Sequence, residues 1–325
     1  MRTYHQLYQT LMMQYLGETI SLVVALSWTL TALFAEIASK RLGALQLNFF
    51  RMSIALVLLG GLLWITIGAP YPVHADAATW FWLAMSGFVG YVFGDFCLFN
   101  SYIVFGARYG QLFMTLAPPL AGISGWLMLG ERMSWHSWIA MLVTLSGIAI
   151  SILARKSGDS HKLTLKLPLK GVLFGIGAGV GQGVGLVLSK IGLSHYEAAL
   201  PEGISQTMAT MVPFAGTFIR TVAGLIGFFV LLALRKSVAT LGTAVKDGKG
   251  MKFAVLTTFF GPFLGVSLSL MAVQYAKAGI ASTLMALTPV LIILPYALIY
   301  HQKISLKEIA GTFITIVGVA LFFLL

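Results

Sequence analysis

Charge is scarce in this chain. Its 325 residues include 21 Lys and Arg and 10 Asp and Glu, 10% of the total, where soluble domains carry about 25%. A soluble fold of this length cannot cover its surface with so few charged groups. With 58% of its residues apolar, the chain is not intrinsically disordered either, because disorder requires low hydrophobicity. Cysteine is scarcer still. A lone Cys97 excludes an intramolecular disulfide framework and a cysteine-ligated zinc site. The six histidines, at positions 5, 74, 136, 161, 195 and 301, form no paired ligand motif. No phosphate-binding loop of the Walker type occurs, and Ser, His and Asp do not cluster in a nucleophile motif. Met1–Glu18 is too polar for a cleaved signal. The expectation is a protein that is not an enzyme and uses no cofactor and no metal.

What the chain does have is long apolar runs, with a mean hydropathy of +0.90. A helix needs about 20 mainly apolar residues to cross the hydrocarbon core. Ten such stretches are present. Spans 1 to 5 are Ile20–Ser39, Ala44–Ile67, Trp80–Ile103, Gln111–Leu129 and Ser137–Ala154. Spans 6 to 10 are Gly171–Ser189, Thr210–Leu234, Phe253–Tyr275, Ile280–Tyr300 and Leu306–Leu325. Ahead of them, Leu7, Leu11, Tyr15 and Leu16 have the spacing of a short helix on the membrane surface, with an unstructured tail as the alternative.

The net charge of +11 is explained by where the basic residues fall. Call the face that holds the amino terminus A and the opposite face B. Face B receives 15 Lys and Arg and face A receives 4, with Arg51 and Arg220 inside spans. Basic loops stay in the cytoplasm, so B is expected to be cytoplasmic and both termini external. The charge then serves topology and lipid headgroups, and nucleic acid is not needed as a partner.

The two halves repeat. Phe49-Phe50-Arg51 returns as Phe218-Ile219-Arg220, offset by 169 residues. Gly90, Gly94, Pro118 and Gly147 return as Gly261, Gly265, Pro289 and Gly318, all offset by 171. Ala38-Ser39-Lys40 matches Leu188-Ser189-Lys190 at an offset of 150. The expected division is an amino-terminal segment 1–18, a five-helix repeat 19–154, a basic linker 155–170 and a second repeat 171–325. Five is odd, so the second repeat enters the membrane in the opposite sense. The expected fold class is an all-α membrane protein with ten transmembrane helices in two inverted five-helix repeats, an arrangement by which many secondary transporters build a midplane site.

Trp28, Arg51, Ala117-Pro118 and Leu129-Gly130-Glu131-Arg132-Met133-Ser134, answered by Leu287-Thr288-Pro289, Ile304-Ser305 and Gly318, make the chain resemble the drug/metabolite transporter superfamily, specifically proteins with two EamA-type domains. The resemblance implies a ten-helix basket that exports or exchanges small metabolites through a central cavity, as a monomer or homodimer in a bacterial plasma membrane. The chain departs from that pattern at Gln302, where the second turn has no acid, and at Thr29, where glycine often follows the tryptophan.

Ionisable groups inside spans cost about 2.5–3.5 kcal/mol each on insertion scales. Glu36, Arg51 and Asp95 all fall in the B half of the membrane. Arg51 keeps a repeat partner in Arg220, whereas Asp95 maps to Val266 and Glu36 maps to Leu186. Asp95 reads equally as a protonation or substrate-amine site or as the partner of Arg51 in an ion pair that locks spans 2 and 3. Tyr91 and Tyr102 share its face. Glu36, four residues before Lys40, reads chiefly as a helical surface pair. On the Glu36 face, Ala25, Thr29 and Ala32 make a small strip suited to close packing or to solute. Gln182 is the one polar side chain in the glycine run of span 6, open to the cavity or to a helix–helix bond. With Trp28 and Thr29 these are the candidate site residues, for a small organic solute. A lipid translocator and a non-transporting membrane scaffold remain as alternatives.

Overall fold

A computed structural model describes residues 15–153, 168–299 and 305–324. The first 14 residues and most of the basic linker, 155–167, lie outside these ranges. Among the described residues there is no strand, and nine helices are long and apolar enough to cross a bilayer. Trp135–Leu153 forms the remaining apolar helix, as span 5. Large side chains such as Val57, Ile65 and Leu127 are more than 70% exposed, which suits hydrocarbon and not water.

Every span packs against one from the other half: 1 with 8, 2 with 7, 3 with 6, 4 with 9 and 5 with 10. Spans 5 and 10 show the inverted symmetry atom by atom. A Cβ on Gly147 would lie 2.4 Å from the Thr315 nitrogen, and one on Gly318 would lie 2.5 Å from the Thr144 nitrogen. These are the same contact seen from either half, since both residue pairs are related by 171. Positions fall on one helix as they rise on the other, so the two run antiparallel. Glycine at the crossing lets the backbones touch, which is how helices associate in lipid.

Span 3 pairs with span 6 through Gly94 on Gly181 and Gly90 on Gly185. Span 1 pairs with span 8 through Trp28 on Gly265 and Thr31 on Gly261. Trp28 therefore answers to Gly181, an offset of 153 and not 150. This corrects the alignment of span 1 with span 6 by nearly one helical turn. Glu36 maps to Ser189, and Thr29 maps to Gln182.

Spans 3 and 8 share a second feature. Each is α-helical at both ends and π-helical in the middle, over Phe88–Asp95 and Phe259–Val266. Their starts are capped alike: Asp76 accepts from the Thr79 amide and Asp247 from the Gly250 amide. Spans 4 and 9 are interrupted at matching places, before Pro118 and Pro289, because proline can neither donate to the preceding turn nor fit within it.

Several spans run longer than their hydropathy predicts, spans 1 and 6 by the most. Span 1 starts at Leu16, so that Gly17 can lie on Ala276. Span 6 runs over Leu169–Ala199, where Lys190 marked its predicted end. The charge does not stop the helix because the Lys190 ammonium pairs with Glu131 and donates to the Ala276 carbonyl. Beyond it, Leu193 and Tyr196 are buried.

Candidate functional site

The site is built from two arginines, one per half. Arg51 stands two turns into span 2 and Arg220 midway along span 7, and both are buried. Each reaches across to the π-helical stretch of a span-3-type helix. The Cβ that Gly261 lacks would lie 3.0 Å from an Arg51 nitrogen, and the one that Gly90 lacks would lie 2.8 Å from an Arg220 nitrogen. The repeated glycines thus clear room for the repeated guanidiniums. The π turns also leave carbonyls less committed to the helix ladder. Gln182 Nε2 donates to the Gly90 carbonyl at 3.2 Å, and Ser27 Oγ donates to the Phe260 carbonyl at 2.7 Å.

There the symmetry ends. Arg51 Nη1 donates to Asp95 Oδ2 at 2.9 Å and to Asn48 Oδ1 at 2.8 Å, and its guanidinium lies 4.5 Å over the Phe99 ring. Asp95 takes a second donor on its other oxygen, Gln182 Nε2 at 2.7 Å. Where Asp95 stands in the first half, the second has Val266. Arg220 has the Tyr91 ring at 4.9 Å and no ion pair or hydrogen bond to its side chain among the described residues.

Between the arginines lies one chamber in two lobes. The Arg51 lobe is lined by Trp28, Thr31, Asp95, Tyr91, Tyr102 and Phe99, among others. The Arg220 lobe includes Leu186, Ser269, Ser282, Met285 and Thr288. Trp28, Gln111, Met114, Gln182 and Val266 line both. The lobes have volumes of about 50 and 30 Å3, counted as room for the centres of water molecules. A water needs about 10–15 Å3 on that measure, so the chamber has space for a handful of waters in this conformation. A vestibule of about 560 Å3 on face A, between the ends of spans 1, 6, 7 and 8, shares no lining residue with it. On face B, Arg41 holds Asp247 through two hydrogen bonds of 2.7 and 2.8 Å.

Of the residues singled out from sequence, Trp28, Arg51, Tyr91, Asp95, Tyr102 and Gln182 meet around this chamber. Glu36 and Thr29 do not. Glu36 pairs with Lys40 at 2.6 Å and accepts from the Ala107 amide at 3.0 Å, tying span 1 to the start of span 4. Thr29 donates to the Ala25 carbonyl of its own helix. The face of span 1 that meets the chamber carries Trp28 and Thr31, three residues apart, and Ala25, Thr29 and Ala32 are buried in helix packing. Sequence reasoning passed over Gln111, Ser282 and Thr288, since small polar groups in spans usually bond their own helix. In the sequence Arg220 is visible as an intramembrane charge and as the repeat partner of Arg51, with no sign of a role of its own. Its isolation had no signal until the acids were placed.

The comparisons bear on the whole chain. The EamA-like transporter family matches residues 15–153 and, a second time, residues 169–324. The chain belongs to this family. It is a multi-pass, all-α membrane protein made of two EamA-like repeats. Twenty-seven chains of solved structures match it. One, a crystal structure of a protein, aligns with a TM-score of 0.66 at 18% identity over 96% of this chain and 97% of that one. At that identity the likeness speaks for the fold alone. No curated protein matches.

Proposed function

We propose that this EamA-like protein is a secondary transporter that moves a small organic metabolite by alternating access, in the export direction, across a bacterial plasma membrane with face B cytoplasmic. The observation that carries the reading is the largely apolar chamber where the halves meet, with Arg51, Asp95 and Arg220 in its lining, bounded by equivalent helices of opposite sense. An inverted pair can exchange conformations, so that a chamber between the halves opens to one face and then the other. The fifteen basic residues of face B support the orientation, and the family supports export.

Proton exchange at Asp95 is part of the proposal. Its carboxylate holds Arg51 and Gln182 together, so protonation would release both and loosen span 2 from spans 3 and 6. The test is flux in proteoliposomes. Asp95→Asn leaves Arg51 without its anion and should lower stability as Arg51→Gln does; in protein that folds it should lose most transport and flatten the pH dependence of what remains, and unchanged rate and pH profile would remove Asp95 from the mechanism. A lipid translocator is less well supported. The groove of about 670 Å3 between spans 3 and 7 is lined by Trp80, Phe81, Phe88, Ile226 and their neighbours, without a charged side chain. It suits acyl chains and offers a headgroup no polar path.

A further inference from the structure

The charges around the chamber do not cancel. Arg51, Arg220 and Asp95 leave one positive charge in excess, and both oxygens of Asp95 are already taken, one by Arg51 and the other by Gln182. An arginine stays protonated in any protein setting, and an isolated charge in a low-dielectric interior is unfavourable until it is paired. The Arg220 side chain is 3% exposed, lines the chamber and makes no ion pair or hydrogen bond among the described residues, and Asp95, held by Arg51 and Gln182, acts on it only at longer range. On the same lobe the Ser282 hydroxyl makes no hydrogen bond among the described residues and can donate, while its backbone carbonyl accepts from the Ala286 amide. Trp28, Met114, Leu186 and Met285 give the rest of the lobe an apolar wall.

We propose that this lobe is an anion subsite, and that the solute is a small organic monocarboxylate. Its charged group pairs with Arg220 and takes the Ser282 hydroxyl, while its apolar body lies against Trp28 and the two methionines once the halves move apart, since the lobe as it stands has room for about two or three waters only. One bound carboxylate brings the chamber to neutrality. A cation finds no free acid there, because Asp95 is engaged, and an amino acid brings an ammonium with nowhere to go. This assignment rests on the transporter reading and names the substrate class for it.

The test uses the full chain in nanodiscs of phosphatidylcholine, with benzoate, benzyl alcohol, benzylamine and phenylalanine as probes of one ring size and different charge. Thermal unfolding and tryptophan fluorescence report binding. Benzoate should bind and the other three should bind roughly 10- to 100-fold more weakly, the difference made by a charge-assisted hydrogen bond. Arg220→Gln should abolish benzoate binding and Arg220→Lys should keep part of it. Without ligand, Arg220→Gln should unfold at the same or a higher temperature, since it removes an uncompensated charge.

Equal binding of benzylamine, undiminished benzoate binding by Arg220→Gln, or an unliganded Arg220→Gln that unfolds well below the native protein would each overturn the proposal. So would loss of the benzoate effect when phosphatidylglycerol is added to the disc, which would give the subsite to a lipid headgroup. Benzoate binding without flux in proteoliposomes would remove the transporter reading and leave the subsite. Flux of amines with no carboxylate binding would do the reverse.

Discussion

Arg51 and Arg220 occupy equivalent places in the two repeats, each fitted into the space left by a glycine of the opposite π-helical stretch, yet their surroundings differ in kind. Arg51 is held by Asp95 and Asn48, whereas Arg220 faces the chamber with an aromatic ring for company. Shared features, namely crossing glycines, interrupting prolines, capping aspartates and the arginines themselves, build the symmetric frame that both conformations of a carrier require. What only one half possesses defines the inside of the chamber. Duplication made the scaffold, and loss of symmetry at one position, Asp95 against Val266, gave it a polarity.

The sharpest way to break this comparison is to neutralise each arginine in turn. Arg51→Gln strands Asp95 in the interior and should lower unfolding stability by about 3–5 kcal/mol, the cost of removing one partner of a buried pair. The same change at Arg220 should be neutral or stabilising. Asp95→Asn added to Arg51→Gln should recover much of the loss. Equal destabilisation by the two single variants, read from thermal unfolding in one detergent, would erase the distinction drawn here.

A smaller effect concerns the frame. A Cβ on Gly181 would lie 2.6 Å from the Gly94 Cα, backbone that cannot move aside, whereas Gly61 has no atom within 4 Å of its missing Cβ. Gly181→Val should cost about 1–3 kcal/mol by forcing spans 3 and 6 apart. Gly61→Ala should be neutral or gain up to about 1 kcal/mol of helix propensity. The pair can be ranked by unfolding midpoint.

The two faces can also be set against each other. Gly130, in the left-handed conformation with φ of 68°, ends span 4 and turns Glu131 back. The Glu131 carboxylate accepts from the Ala278 amide at 2.9 Å and pairs with Lys190. Spans 4, 6 and 9 are thus tied together on face A, as Glu36 and Ala107 tie spans 1 and 4 on face B. Glu131→Gln should weaken the face A closure by about 1 kcal/mol, the upper end for a partly exposed pair. Labelling from face A of a cysteine placed at Ser282, in the chamber, should become faster, while Glu36→Gln should leave that rate alone.

The smallest effect is one of pH. The Arg41 side chain, followed by the Gly250 amide, holds the Asp247 carboxyl below the usual carboxylate range. Asp76 is lowered by Thr79 alone among its hydrogen-bond donors from other residues. A depressed folded pKa stabilises the fold above the unfolded value and loses that contribution as pH falls through the folded one, below about pH 4. Asp247→Asn should flatten the acid limb of the stability profile, and Asp76→Asn should flatten it less. Unfolding midpoints between pH 3 and 6 would show either.

Much of the frame was readable before any coordinates. The run from Ala44 to Ile67 could only be a span, and Gly147 against Gly318 already pointed to two copies. The end of span 6 escapes the hydropathy reading because Lys190 is a charge, and a charge ends a span only if nothing within the protein neutralises it. The site was half readable. Asp95, Arg51 and Gln182 declared themselves as polar groups in apolar surroundings. Thr29 was misplaced because two neighbouring hydroxyls on one helix differ by a rotation that hydropathy does not register, and Thr31 has the chamber-facing place.

The sequence by itself determined that the chain crosses lipid ten times and does so in two copies, because the hydrocarbon core admits only long apolar helices and five crossings reverse the direction of the sixth. Only the tertiary structure decided which buried charges are paired. Arg51 and Arg220 look alike along the chain, and their difference arises from which groups of spans 3, 6 and 8 come within hydrogen-bonding distance when the halves close on each other.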